Sequence, residues 1–304
     1  MAKKDIVCWF SGGVTSAVAC KVAIDCFGKD RCRVIFIDTF NEDDDTYRFK
    51  NDCEKWYGIE IETITMIGRQ DKAKGKTYTI NSIKDIWYNH LSLNTANGAI
   101  CSSILKRRCR EIWQKENKYT HQAFGFEFEK KEFNRATGLS LNHPSAKSIF
   151  PLLMMAYSKK DTIYIIKEAE IEIPISYKDG FHNNNCAKSR CPQGGIGYWQ
   201  KIGKFEPENF DEMAQIEHDL TDLKGSPVTM LKDQSKEAKK LVEETGDKTL
   251  AFVFLKPHPD YPNIKDISMM DGREPEPLID CNGFCGVNDL IPRINTELEL
   301  NFDS

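Results

Sequence analysis

The sequence has no apolar run approaching the roughly twenty residues a membrane helix needs, and its mean hydropathy is −0.51. A membrane span is excluded. Basic excess is missing as well: 42 Lys and Arg stand against 46 Asp and Glu, a net charge of −4. With a pI of about 6.0, there is no broad footprint for tight, sequence-independent nucleic-acid binding. A local patch stays open, the candidates being Lys106, Arg107, Arg108 and Arg110. The start, Met-Ala-Lys-Lys-Asp, carries no signal-peptide pattern, which leads us to expect a cytoplasmic protein. Internal repeats are absent. At 304 residues the chain can bury a sizeable core and form one large or two modest domains.

Eleven cysteines are present, and a reducing cytosol argues against a disulfide framework. Cys8, Cys20, Cys26, Cys32 and Cys53 are scattered, mostly beside apolar residues, and read as small buried hydrophobes. The other six fall in pairs: Cys101 and Cys109, Cys186 and Cys191, Cys281 and Cys285.

The chain is organised around its first stretch. Ile6 to Phe10 is a short apolar run that reads as a buried strand. Ser11-Gly12-Gly13 supplies a turn with backbone freedom. Val14, Ala17, Val18 and Val22 then fall on one helical stripe. Strand, glycine turn and helix leave free N–H groups at a helix N-terminus, where an anion is stabilised. Ser11, Thr15 and Ser16 add hydroxyls at the same spot. The Gly-Lys-Ser/Thr ending of the other common phosphate loop is absent.

Arg33 to Thr39 reads as a second buried strand, Thr46 to Tyr57 as a helix ending at Gly58, and Ile59 to Met66 as a third strand. This alternation predicts an α/β fold: a Rossmann-like parallel sheet with flanking helices, its ligand beyond the strand C-termini. That rim would hold the Ser11–Ser16 loop together with Asp38-Thr-Phe-Asn-Glu42. Asp38 or Glu42 would then hold Mg²⁺ or order a nucleotide, unless the acids only form a solvated face. Residues 68–82 read as a polar, mobile connection, and Asn81 to Ser92 as a helix. A basic helix follows from Cys101. A thiol at its start beside Lys106, Arg107 and Arg108 would have a lowered pKa, the alternative being an ordinary half-buried thiol. Thr120 to Phe126 and Ser148 to Met154 read as further strands, with a charged stretch ending at Arg135 between them; Ser158 caps a helix, Lys159 to Glu170. We place the nucleotide-binding domain at 1–175 and a C-terminal cysteine-containing, irregular and helical region at 176–304.

In that second region Cys186 and Cys191 sit in an asparagine- and glycine-rich loop, close to metal-ligand spacing. Cys281-Asn-Gly-Phe-Cys285 is a second pair. Together the four could close a thiolate site for zinc or an iron–sulfur cluster; two unrelated thiol pairs, or one redox disulfide, is the alternative.

Five stretches give the chain a family resemblance: Phe10-Ser-Gly-Gly-Val-Thr-Ser16, Asp38-Thr-Phe-Asn-Glu42, Cys101-Ser-Ser-Ile-Leu-Lys106, Phe124 to Arg135, and Asn183-Asn-Asn-Cys186 through Tyr198-Trp199. With them it resembles the phosphoadenosine phosphosulfate reductase family in the broad sense, especially the phage and prophage type, within the ATP pyrophosphatase or adenine nucleotide α-hydrolase superfamily. The resemblance implies an adenine nucleotide bound at Ser11, Gly12, Gly13, Thr15, Ser16 and Asp38. It also implies one of two chemistries. An ATP pyrophosphatase adenylates an acceptor with Mg²⁺, here coupled to sulfur transfer from a donor protein or thiol, with nucleic acid among the candidate substrates. A sulfonucleotide reductase attacks an adenylyl sulfate with a cysteine. The intact Ser-Gly-Gly-x-x-Ser loop favours ATP. Cys101 is then the candidate reactive thiol, with Lys106 and Arg135 as phosphate or substrate contacts. Departures from the reductase pattern are Ser102 where cluster-bearing members have a second cysteine, the stretched Cys186–Cys191 pair, and Asp280-Cys-Asn-Gly-Phe-Cys285 in place of the family's C-terminal cysteine motif. A third reading, of another class, is a nucleotide- or nucleic-acid-binding module without turnover. Oligomers are compatible with all three.

Overall fold

The computed structural model describes residues 4–95, 98–186 and 190–276. Its centre is β1 (Ile6–Phe10), buried along its whole length. Alternation decides why: Ile6, Cys8 and Phe10 enter one core cluster, while Val7 and Trp9 enter another on the opposite face. A strand covered on both faces belongs in the middle of a parallel sheet. The turn at Ser11–Gly13 leads into α1 (Val14–Phe27), and β2 (Cys32–Asp38), α2 (Asp44–Tyr57) and β3 (Ile61–Thr65) follow. β1 pairs in parallel with β2 on one side (Cys8 with Val34), and β2 with β3.

On the other side of β1 lie β8 (His121–Ala123) and β9 (Ser148–Ile149), again parallel. The order β3–β2–β1–β8–β9 reverses between β1 and β8. The open crevice of such a sheet falls at that reversal, beyond the strand C-termini. α1 packs on one face with Phe49, Tyr57 and Ile166; Trp113, Phe124 and Leu139 cover the other. The α/β expectation therefore holds.

Three local readings are corrected. Residues 70–79 form a hairpin, β4 (Gln70–Ala73) against β5 (Lys76–Thr79). It is anchored by buried Asp71, which accepts from Tyr78 Oη at 2.9 Å, approaches His90 Nε2 at 3.0 Å and pairs with Arg108. α3 (Ile83–His90) then starts from a capping box between Ser82 and Asp85. After the short hairpin of β6 (Asn94–Thr95) and β7 (Gly98–Ala99), a helical stretch runs from 100 to 116. It contains a π-helical turn, Ser102–Arg108, before α4 (Cys109–Glu116). The charged segment before Arg135 becomes α5 (Lys130–Asn142), and the strand expected over 148–154 ends at Ile149. Pro151, at the first position of α6 (Pro151–Met154), starts that helix instead.

α7 (Lys159–Glu168) has the expected Ser158 cap, and α8 (Ile175–Lys178) is one turn. α9 (Ile196–Phe205) and α10 (Pro207–Lys224) precede a small sheet of β10 (Leu231–Lys232), β11 (Phe252–Phe254) and β12 (Lys265–Asp266), with α11 (Lys236–Thr245) between the first two. A third core cluster joins Trp87, Ile104 and Leu105 to Trp199, Ile202, Met213 and Leu255. Residues on both sides of position 175 thus share one apolar interior. No helix among the described residues is long and apolar enough to cross a membrane.

Candidate nucleotide and thiol site

The Ser11–Ser16 loop stands at the end of β1, where the sheet order reverses. Gly12 has φ +83°, and a Cβ there would lie 2.7 Å from Thr46 Cγ2. Both facts demand glycine. Ser16 closes the loop from inside: its Oγ accepts from Ser11 N at 3.0 Å and donates to Gly13 O at 2.9 Å. Ser11 Oγ donates to the same hydroxyl at 3.0 Å. The two serines expected to face a phosphate are therefore engaged with each other and with the loop backbone. They shape the cradle.

Groups from distant parts of the chain complete it. Asn184 Nδ2 donates to Gly12 O and to Thr46 Oγ1, each at 2.9 Å, while its Oδ1 accepts from Ser176 Oγ at 3.0 Å. The Tyr177 hydroxyl accepts from Val14 N at 3.3 Å, at the first turn of α1. Lys159 Nζ donates to Thr15 Oγ1 at 2.9 Å, lies 3.8 Å from Glu127 Oε2, and stands 5.3 Å from the Tyr177 ring centre. Backbone N–H groups and an ammonium at one helix start are the chemistry that stabilises phosphate charge. The chain after Ala123 packs behind this turn: a Cβ on Gly125 would lie 2.9 Å from Ser16 Cα.

In the second rim segment Asp38, Thr39 and Glu42 are buried. Asp38 Oδ1 accepts from Phe40 N at 2.7 Å and Tyr47 Oη at 2.9 Å. Burial and the Asp38 carboxylate together hold the Tyr47 phenol well above its ordinary pKa. Phe40 has φ +51° and is 64% exposed, an outlier of the kind that collects at functional rims. Glu42 accepts from Thr39 Oγ1 at 3.0 Å and lies 3.9 Å from Lys106 Nζ. Burial raises its pKa, with Lys106 opposing.

Lys106 comes from the π-helical turn, a distortion that frequently marks function. It helps wall a cavity of about 10 Å³ with Thr39, Cys101, Cys186 and Cys191. Three of the six paired cysteines thus meet, all buried and none in a disulfide. Here the expectation for Cys101 is corrected. Burial, seconded by neighbouring Cys186, pushes its thiol up to about 12. Burial likewise raises Cys186, opposed by Lys106, and Cys191 rises well above its ordinary value. Cations nearby in sequence do not prevail over the loss of water. Cys281 and Cys285, the other half of the expected four-thiolate set, lie outside the described residues.

Arg135, the other expected contact, lies in α5. It is buried, accepted by both oxygens of Glu132 at 2.7 Å, with its guanidinium 4.9 Å from the Phe126 ring centre. Of the four candidates for a local basic patch, Arg107 is half-buried. Lys106 and Arg110 are buried and Arg108 is paired with Asp71. The residues overlooked in the sequence are Lys159, Tyr177, Asn184 and Glu127. The run of three asparagines and the Phe124–Arg135 stretch that holds Glu127 were the visible signals; nothing local marks Lys159 beyond its place after a helix cap.

The chain is similar to known proteins. An uncharacterized protein of Methanocaldococcus jannaschii is 28% identical over 221 residues, covering 70% of this chain and 42% of that protein. The chain thus aligns with less than half the length of this relative. The sequence model of the phosphoadenosine phosphosulfate reductase domain matches residues 5–107, which include the glycine loop, the Asp38–Glu42 rim and Cys101 through Lys106. Residues 5–107 are thus similar to the phosphoadenosine phosphosulfate reductase domain.

Proposed function

We propose that the protein is an adenine-nucleotide enzyme that cleaves ATP between its α and β phosphates, adenylates an acceptor, and couples this to sulfur transfer. One observation carries the reading: the Asp38–Glu42 rim of the nucleotide crevice and the three-thiol cavity share Thr39 and the Lys106–Glu42 pair. Nucleotide and sulfur chemistry are adjacent. On this reading the first turn of α1 and Lys159 take the phosphates, Asp38 helps to hold Mg²⁺, and Tyr177 and Asn184 keep the cradle in shape. Stabilising charge on departing pyrophosphate is the main catalytic contribution such a cradle makes.

Burial raises all three thiols, which disfavours a free thiolate nucleophile; a bound metal would displace their protons, so the trio serves better as ligands. Three thiols around one small cavity are a donor set that zinc and iron–sulfur clusters both use. Cys101, Cys186 and Cys191 would be three of the ligands of a zinc ion or of an iron–sulfur cluster. Bound there, such a cluster would supply a site for activating or carrying sulfur.

Incubation with ATP and Mg²⁺ should release pyrophosphate and AMP once an acceptor is supplied, and Lys159→Ala should slow that release. Anaerobically purified protein should contain zinc, or iron with acid-labile sulfide, lost in Cys186→Ser. Sulfite release from an adenylyl sulfate with a thiol donor, and no pyrophosphate from ATP, would instead establish sulfonucleotide reduction. Tight nucleotide binding with no product would leave the binding-module reading.

A further inference from the structure

A second polar cluster lies away from the sheet rim. α10 carries His218 and Asp222 four positions apart, hence on one face. β11 runs into Lys256-Pro-His-Pro-Asp-Tyr-Pro262, where alternating prolines fix the backbone. This loop brings His258 against α10. Its ring packs between Phe254, His218 and Tyr261, with ring centres 5.3, 4.6 and 5.2 Å away.

His258 is 4% exposed, yet its Nε2 has no hydrogen-bond partner among the described residues. Buried nitrogens are rarely left so. Asp222 Oδ1 lies 3.3 Å from it, close enough for charge attraction but without hydrogen-bond geometry. A ring nitrogen of His258 and one carboxylate oxygen from each of Asp222 and Asp260 all lie within 4.8 Å of one another. Both carboxylates are exposed and can close by side-chain rotation.

We infer that Asp222, His258 and Asp260 form a binding site for a divalent transition-metal cation, with water completing the shell. One imidazole with two carboxylates suits first-row divalent ions such as Zn²⁺, Co²⁺, Ni²⁺ or Mn²⁺. The ion fastens the end of α10 to the loop after β11. It is separate from the thiol cavity, whose residues it does not share. The Asp260 amide donates to His258 Nδ1 at 3.2 Å, which puts the proton of the neutral ring on Nε2. Cation binding through Nε2 moves that proton to Nδ1, and the amide gives up its long contact.

The test is titration of the chelator-treated full chain with Co²⁺, followed by calorimetry and visible absorption. Ligation by nitrogen and oxygen gives only weak d–d bands; ligation by cysteine adds an intense sulfur-to-cobalt charge-transfer band, so the two sites are told apart. The expected result is one equivalent bound without the charge-transfer band and a rise in melting temperature, both removed by His258→Gln. Asp222→Asn, at an exposed position, should remove them too and guards against misfolding of the first variant. No binding, binding with thiolate bands alone, or an affinity unchanged in both variants would overturn the site.

Discussion

The Asn184 amide is bonded to the carbonyl of Gly12 at 2.9 Å, across 172 positions of sequence. It ties the second half of the chain to the loop that the first half builds. The same nitrogen reaches Thr46 Oγ1, so one side chain sets the distance between the glycine turn and α2. Asn184→Leu removes both bonds and leaves the Gly12 carbonyl and the Thr46 hydroxyl without this partner. Each such loss costs up to about 1–3 kcal/mol, the figure for a fully buried group, and these bonds are part-buried. ATP affinity, read by calorimetry, should fall by about tenfold or more, since 1.4 kcal/mol is a factor of ten. Unchanged affinity would show that the loop keeps its shape alone.

Gly12→Ala meets two separate obstacles, the positive φ and the Thr46 methyl at 2.7 Å. A double variant separates them. Thr46→Ser removes the methyl while keeping a hydroxyl for Asn184, so Gly12→Ala with Thr46→Ser should recover part of the nucleotide affinity lost in Gly12→Ala. Recovery will be incomplete, because an alanine held at φ > 0 still costs about 1 kcal/mol or more. Full recovery would mean that crowding alone demands glycine.

Glu217 in α10 gives a prediction about pH. It is fully buried, and its two oxygens accept from Met230 N and Leu255 N, both at 2.7 Å. Burial pushes its carboxyl up to about 8. A carboxyl raised above its unfolded value stabilises the fold fully at low pH and progressively less as pH rises toward the folded value. Relative to Glu217→Gln, the protein should therefore lose stability between about pH 4.5 and pH 8, with a slope of at most roughly 1.4 kcal/mol per unit. The glutamine variant should be flatter across that window. It should also be less stable at pH 5, because its amide can accept only one of the two N–H groups, leaving the other unmet at about 1–3 kcal/mol. Parallel denaturant titrations of both proteins at several pH values measure this.

What the sequence made legible follows from how local each signal is. β1, the glycine turn and α1 were readable because an apolar run, two glycines and a helical stripe lie within some twenty neighbouring residues. The hairpin at 70–79 was not. Its lysines and glycine look like a solvated connection, and its anchor, buried Asp71, depends on His90 and Arg108, which are 19 and 37 positions away. The Cys101 pKa was misjudged for the same reason. Lys106 is near in sequence, but the fold turns it to Glu42 and closes Cys186 and Cys191 over the thiol. Lys159 and Tyr177 reach the loop only because α7 and α8 return to α1, which no spacing announces.

Thiol reactivity tests the burial of the three-cysteine cavity directly. Alkylation needs thiolate, and a thiol held at about 12 is ionised to roughly one part in ten thousand at pH 8. Cys26 is the exposed cysteine among those described. In native protein at pH 8, iodoacetamide should therefore modify Cys26 well before Cys101, Cys186 or Cys191, as read by peptide mass spectrometry. Lys106→Met should slow Cys186 further, because it removes the cation that opposes burial there. The same change leaves Glu42 buried without its ammonium, so stability should fall as well, by up to about 3–5 kcal/mol. Early labelling of Cys101 in a fully folded sample would mean that the cavity opens to solvent on the timescale of the reaction. The thiol would then be available as a nucleophile after all.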